Sequence, residues 1–306
     1  MSTGSTSSSR VRYWIGALLV FLAAFCFALK GVLIKLAYQY AVDSISLLTL
    51  RMVFALPFYI VIAIRLSHQL PPAQLSLQKW LKLAMLGITG YYIASFFNFL
   101  GLVYITASLE RILLFVYPTF VLLLGTVVFG RRISRLQGVA LLLTYAGILL
   151  AFVPNIQAGQ HKDVFLGAVW VILSGLVYAV YLVGSDTMIA KVGSQRYTCY
   201  AMIAATAVTV VHCAVANGLD LFRFPAPVYG LALLMAIVVT VIPTFFMAEG
   251  IKRIGSGNTS IVASIGPIFT IGLATTFLNE TISLFQFLGT FLVLLGVFLI
   301  GWKGRK

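Results

Sequence analysis

Apolar residues run along this chain in long blocks with no amphipathic break, each bounded by a few polar or basic positions. About 20 consecutive apolar residues span a bilayer as a helix. That length criterion predicts ten spans: 13–36, 44–64, 80–104, 108–129, 135–153, 166–187, 197–216, 227–249, 257–278 and 283–302. Most connections are short. The longest are 65–79, which holds Pro71 and Pro72, then 154–165 and 217–226. The run from Tyr13 to Leu36 follows Arg10 and Arg12, as in a signal peptide, but it is too long for such a segment and shows no small-x-small cleavage site, so it reads as a retained helix. Residues 1–12 read as a disordered cytoplasmic tail, and 303–306 as a basic cytoplasmic tail.

Composition supports the same class. Of 306 residues, 61% are hydrophobic and 9% charged, against roughly 45–50% and about 25% in soluble domains. Too few charges exist to clothe a water-facing surface. The net charge of +14 suggests nucleic acid, but the basic residues sit in short groups between apolar runs and not on one solvated face, so nucleic-acid binding is set aside. With the N-terminus in the cytoplasm, 15 of the 21 Lys and Arg residues fall on the inner side. Only Lys35, Arg111, Lys162 and Arg223 fall outside or at the outer edge, and Lys30 and Arg51 lie within spans. Positive charge therefore places both termini in the cytoplasm, and the inner (plasma) membrane is the expected location of this multi-pass chain.

The chain also repeats itself. Residues 95–137 align without a gap on 244–286, with twelve of the 43 positions identical. Phe96-Phe97 meets Phe245-Phe246, Gly101 meets Gly250, Pro118 meets Pro267, and Ile133-Ser134 and Gln137 meet Ile282-Ser283 and Gln286. Upstream, Gly16-Ala17 meets Gly167-Ala168. The predicted fold is all-α, with a five-helix repeat at 13–153, an external linker at 154–165 and a second repeat at 166–302. An odd helix count sends the second copy into the membrane upside down. Arg131, Arg132 and Arg135 lie in a connection whose repeat partner near Asn279 and Glu280 has no basic residue; Lys252 and Arg253 lie in one whose partner near 101–107 has none. Each position is basic only where it faces the cytoplasm. Inverted repeats with a midplane site between them are a pattern of secondary transporters.

This pattern resembles the drug/metabolite transporter superfamily, specifically its EamA-type ten-helix members. The resemblance rests on Phe27-Ala28-Leu29-Lys30-Gly31 in the first span, Arg51 in the second, Pro118 and Pro267 in the fourth of each half, and Glu280, Gln286 and Gly289 near the end. The chain departs from the family at Arg131, where the acidic partner of Glu280 often stands, and at Lys30, where an aromatic is usual. The resemblance implies export or exchange of small metabolites, drugs or amino acids through a cavity lined by spans one, three, four, six, eight and nine.

Lys30 and Arg51 are the sharpest candidate substrate-binding residues. A cation at a helix centre costs about 2.5–3.5 kcal/mol, and both lie six or seven residues, roughly 10 Å, from the outer ends of their spans. They suit a carboxylate or phosphate; alternatively they snorkel or pair with Glu110 or Asp43. Asn98, Tyr117, Tyr178 and Tyr181 are further candidates, with Tyr178 and Tyr181 on one face; Ser185, Thr244 and Ser264 are polar too, and any of these groups also serves as interhelical glue. Glu249 is a candidate for proton coupling or a partner of Lys252 or Arg253; Asp186 is treated likewise. Glu110 opens a helix, where a carboxylate suits the dipole. Pro118 and Pro267 are candidate hinges or static kinks, as Pro57 and Pro243 are kinks.

Cys26, Cys199 and Cys213 lie in apolar runs as small hydrophobes. His68, His161 and His212 have no metal spacing, and no P-loop, nucleophile elbow or His-Glu-x-x-His occurs. No metal, cofactor or enzymatic reaction is expected. The expected partners are a small-molecule substrate and the lipid bilayer, with a homodimer left open. An integral membrane enzyme or a non-transporting accessory subunit is the alternative.

Overall fold

The computed structural model describes residues 4–69, 75–130, 134–157, 161–263 and 265–303. Among them the regular structure is entirely helical. The helices are α1 (Gly4–Tyr38), α2 (Ser44–Gln69), α3 (Leu77–Gly87), α4 (Ala94–Tyr104), α5 (Ala107–Leu114), α6 (Tyr117–Phe129), α7 (Arg135–Gln157), α8 (His161–Val192), α9 (Ser194–Asn217), α10 (Ala226–Leu234), α11 (Ile242–Ala263), α12 (Gly266–Leu278) and α13 (Leu284–Lys303). Eight helical stretches are long and apolar enough to cross a membrane, and 266–278 and 284–299 are shorter apolar helices. Large apolar side chains such as Val127, Leu142, Leu149, Phe165, Val215 and Phe291 lie exposed around the bundle. A water-facing surface does not tolerate so much apolar area, whereas lipid does.

Several boundaries differ from the hydropathy reading. α1 begins at Gly4, so the described part of the polar N-terminal tail continues the first helix. α7 runs to Gln157 and α8 starts at His161, which shortens the connection expected at 154–165. The fourth span of the first half is two helices, because Phe115 and Val116 form a turn and Pro118 sits in the first turn of α6. Likewise Ala263 ends α11 and Pro267 sits in the first turn of α12. At such positions proline lacks only an N–H that has no intrahelical partner. Both prolines therefore start helices; they do not kink one from within.

The connection expected at 250–256 is helical and part of α11. An i, i+4 ion pair, Arg253 Nε to Glu249 Oε1 at 2.8 Å, supports that turn. At the matching place in the first half the chain is extended at Ile105 and Thr106, and the Thr106 hydroxyl accepts from Leu109 N at 3.2 Å. A side-chain cap there stops one helix and starts the next.

Packing repeats itself with partners exchanged. α1 lies along α11 as α8 lies along α4; α12 lies on α1 as α6 lies on α8; α2 faces α9, and α7 faces α13. Glycines set the closest approaches. A Cβ at Gly250 would lie 3.4 Å from the Gly16 carbonyl, and one at Gly101 would lie 3.0 Å from the Gly167 carbonyl. A Cβ at Gly147 would lie 2.6 Å from the Gly289 carbonyl, and one at Gly296 would lie 2.6 Å from that of Ala140. Local devices recur as well. π-helical turns occupy 88–93 and 235–241. Gly130 and Asn279 end α6 and α12 in left-handed conformation, at φ 65° and 53°. Reciprocal caps begin α7 and α13: Ser134 N donates to Gln137 Oε1 at 2.9 Å, and Ser283 N to Gln286 Oε1 at 3.2 Å.

Small residues let membrane helices approach through dispersion contacts, so side chains at these crossings are costly. Gly289→Val is expected to destabilise the detergent-solubilised protein by about 1–3 kcal/mol through overpacking. Gly272→Ala, where a Cβ meets nothing within 4 Å, is expected to be neutral or mildly stabilising in a helix interior. Equal melting temperatures for the two variants would remove the close-packing account of the α7–α13 contact.

Candidate functional site

A charged cluster is buried where α1, α2, α4 and α5 converge. Glu110, in the fourth position of α5, is 1% exposed. Its Oε1 accepts from Asn98 Nδ2 of α4 at 2.6 Å and lies 3.6 Å from Lys30 Nζ of α1. The pairing with Glu110, an alternative for Lys30 in the sequence, is thus present. Gly31 leaves room for it: a Cβ there would lie 3.4 Å from Glu110 Oε2. A single buried carboxylate thus ties three helices together and neutralises one cation.

Arg51 of α2 has neither alternative partner. Asp43 instead lies 3.6 Å from Arg223 and accepts from Asn217 Nδ2 and Ser46 N. Arg51 is 6% exposed, its Nη2 donates to Ser95 Oγ at 3.3 Å, and its Cζ lies 5.1 Å from the centre of the Phe99 ring. Its Nε has no hydrogen-bond partner. Arg111, counted among the outer-edge cations from the sequence, belongs to the same region. Its Cζ lies 5.4 Å from the Phe115 ring centre, its Nε also has no partner, and its guanidinium presses on Gly266 at the start of α12. Both guanidiniums lie within electrostatic range of Lys30.

An aromatic wall continues from there. Tyr117 and Tyr178 have ring centres 5.5 Å apart, and Tyr178 stacks on Tyr181 at 5.6 Å. Tyr181 donates to the Tyr91 hydroxyl at 2.9 Å and packs beneath α9 against Tyr197 at 6.4 Å. The structure therefore brings Lys30, Asn98 and Glu110 into one contact set, and Tyr117, Tyr178 and Tyr181 into another. Phe115 links Arg111 to the tyrosine set through Tyr117. Glu249 stands apart, paired with Arg253 and about a third exposed. The side chain of Asp186, together with Ser264, Arg131 and Arg132, lies outside the described residues.

Glu280 has a distinct position. Its carboxylate accepts from Ala107 N at 2.8 Å, Ser108 N at 3.1 Å and Ser108 Oγ at 2.7 Å. With Thr106 on Leu109 N, the first three N–H groups of α5 are satisfied, two of them from across the bundle. Sequence reasoning quoted Glu280 only as a family feature; its contact with residue 107 is 173 positions away and leaves no local signal. Around it opens a cavity of about 920 Å³, lined by Lys35, Tyr38, Asp43, Phe96, Thr106 and Glu280 among others. Lys35, which lines this vestibule, lies on α1 five residues, roughly 7.5 Å of helix, from Lys30. Among the described residues no group of His, Cys, Asp and Glu is placed to hold a metal.

The EamA-like transporter family model matches residues 14–153 and 165–302. The chain is similar to YcbK of Bacillus subtilis, an uncharacterized transporter, at 33% identity over 90% of this chain and 88% of the relative. It is also similar to sll1319 of Synechocystis, another uncharacterized transporter, at 24% identity over 94% of each. One solved crystal structure shares its fold with a TM-score of 0.66 at 14% identity, over 95% of this chain and 99% of that one.

Removing one partner of a buried ion pair strands the other. Glu110→Gln is expected to cost about 3 kcal/mol in unfolding free energy. The double variant Lys30→Met/Glu110→Gln is expected to regain most of it, since no uncompensated ammonium remains. Unfolding of the four proteins of this cycle measures the coupling; simple additivity would sink the ion-pair assignment.

Proposed function

The chain belongs to the EamA-like transporter family, and from that premise we propose that it is a secondary transporter, an exporter or exchanger of small metabolites that are anionic or amino-acid-like. A multi-pass membrane transporter is what the family and its relatives establish. Beyond it, the proposal is that ten spans form two five-helix halves, 13–153 and 166–302, inverted in the inner membrane with both termini in the cytoplasm.

Exchanged partners support the inversion. When α1 packs on α11 and α8 on α4, two equivalent halves related by a two-fold axis account for both contacts at once, and five spans per half put that axis in the membrane plane. The matched glycine crossings, π-turns, left-handed helix ends and reciprocal caps fall at equivalent positions of the two halves. Broken fourth helices, ending at 114 and 263 and restarting at 117 and 266, suit a site at the junction, since discontinuous helices mark transporter binding sites.

Substrate is proposed to bind among Lys30, Arg51, Asn98, Tyr117, Tyr178 and Tyr181. The observation that carries this is the cationic cluster of Lys30, Arg51 and Arg111 around the buried Glu110, with Arg51 itself buried. Charge in a membrane interior is expensive and is kept for function. Transport proceeds by rocking of one half against the other, with Glu280 crossing between them on the outer side and Pro118 and Pro267 at the junctions as hinges. Glu249 is the proposed proton-coupling group on the inner side.

Two measurements test the proposal. Reconstituted in proteoliposomes, the protein is expected to move organic anions or amino acids down their gradients, and Lys30→Gln or Arg51→Gln is expected to reduce that flux tenfold or more; unchanged flux would detach the cluster from transport. In a background lacking the three native cysteines, single cysteines at the repeat-matched exposed positions 135 and 284 are expected to react with impermeant maleimide from opposite sides. Labelling of both from one side would end the inverted arrangement.

A further inference from the structure

The chain has seven side-chain carboxylates, and the side chain of one, Asp186, lies outside the described residues. Asp43 faces Arg223, Glu110 faces Lys30, Glu249 faces Arg253 and Glu280 caps α5. Asp163 and Asp220 are exposed at the ends of the bundle. Among the described residues none of them pairs with Arg51 or Arg111. Each of these guanidiniums is held by an aromatic face instead, Arg51 on Phe99 and Arg111 on Phe115. Each also keeps an Nε–H without an acceptor.

Guanidinium groups drawn out of water with no ion-pair partner of their own are costly; Arg51 is buried and Arg111 half-buried, and the Glu110 carboxylate beside Arg111 is taken by Lys30. Arg111 in addition presses on Gly266, the first residue of α12, where the helix end is itself positive. Each guanidinium lies over an aromatic ring, Arg51 also donates from Nη2 to Ser95 Oγ, and the Nε–H of each is left without an acceptor; a guanidinium with an N–H to spare takes a carboxylate by charge-assisted hydrogen bonds. Lys30 adds no net charge, because Glu110 holds it. The local excess over the Lys30–Glu110 pair is therefore two positive charges, carried by separate helices and both within range of Lys30.

Building on the transporter reading, we propose that Arg51 and Arg111 are the two ends of a binding site for a small organic dianion, a dicarboxylate, which bridges α2 and α5. One acidic group occupies each fork and cancels both charges; a monoanion leaves one guanidinium uncompensated. Because Arg111 leans on α12 of the second half, the bound dianion also ties the two halves. Gly266 is the positioning residue: a Cβ there collides with the Arg111 guanidinium and displaces the fork without changing its charge.

The test is equilibrium binding to the full chain in lipid nanodiscs at fixed salt. The probes are malonate, succinate, glutarate and adipate, against butyrate and neutral succinamide. At least one dicarboxylate is expected to bind about tenfold or more tightly than butyrate, the difference one charge-assisted pair makes. Arg51→Gln, Arg111→Gln and Gly266→Ala are each expected to abolish that preference. Should Arg51→Gln fail to fold, the other two variants carry the test. A dicarboxylate preference missing in the native protein, or intact in Arg111→Gln, overturns the dianion site. If a neutral solute is transported while no dicarboxylate binds, this inference alone fails. If a dicarboxylate binds at these residues but no solute crosses proteoliposomes, the site stands and the transporter reading fails.

Discussion

A backbone N–H inside a bilayer has no water to turn to, so each helix end within the bundle needs a partner supplied by the protein. The break between α4 and α5, packed against the second half, shows how such a partner is supplied. α5 starts after the extended pair Ile105 and Thr106, and its first N–H groups would be orphans without Glu280 and Thr106. Glu280 comes from the far end of α12, so satisfying that helix start forces the second half to lie against the first. The position of Glu110, one turn further along α5, follows from it, and with it the positions of Lys30 and Asn98.

Glycine contacts let this arrangement close. Helices in lipid gain little from burying apolar surface against one another, and close backbone approach takes its place. The crossings at Gly16 and Gly250, Gly101 and Gly167, and Gly147 and Gly289 bring backbone within reach of backbone. Larger side chains between them interlock: Ile34, Leu47, Met52, Phe99 and Met235 form a core without exposure beyond a trace. Such a frame holds the charged side chains of α1, α2 and α5 in fixed relation to one another.

The charges are divided unequally between otherwise equivalent halves. Lys30, Arg51, Glu110 and Arg111 all come from the first half, while Tyr178 and Tyr181 come from the second. By the alignment that joins Gly16 to Gly167, Lys30 corresponds to Tyr181. Phe115 and Tyr117 connect the two groups, running from Arg111 to Tyr178 through successive ring contacts.

The sequence alone determined the membrane class, the apolar segments and the internal repeat, because hydropathy and residue identity are local properties and the bilayer reads them locally. It also singled out Lys30 and Arg51, since a cation within an apolar run is conspicuous without coordinates. Tertiary structure decided what those cations face. Lys30 meets Glu110, 80 positions away along the chain, whereas Arg51 meets Phe99 and Ser95. Arg111 looked like an outer-edge charge because its partners Phe115 and Gly266 depend on how α5 turns and where α12 begins. Pro118 and Pro267 looked like hinges or kinks inside a helix because a continuous apolar run hides a helix restart. Glu280 contacts α5 only through the packed halves. Pairing between distant side chains has no period or spacing to betray it, and only the close approach of the helices fixes it.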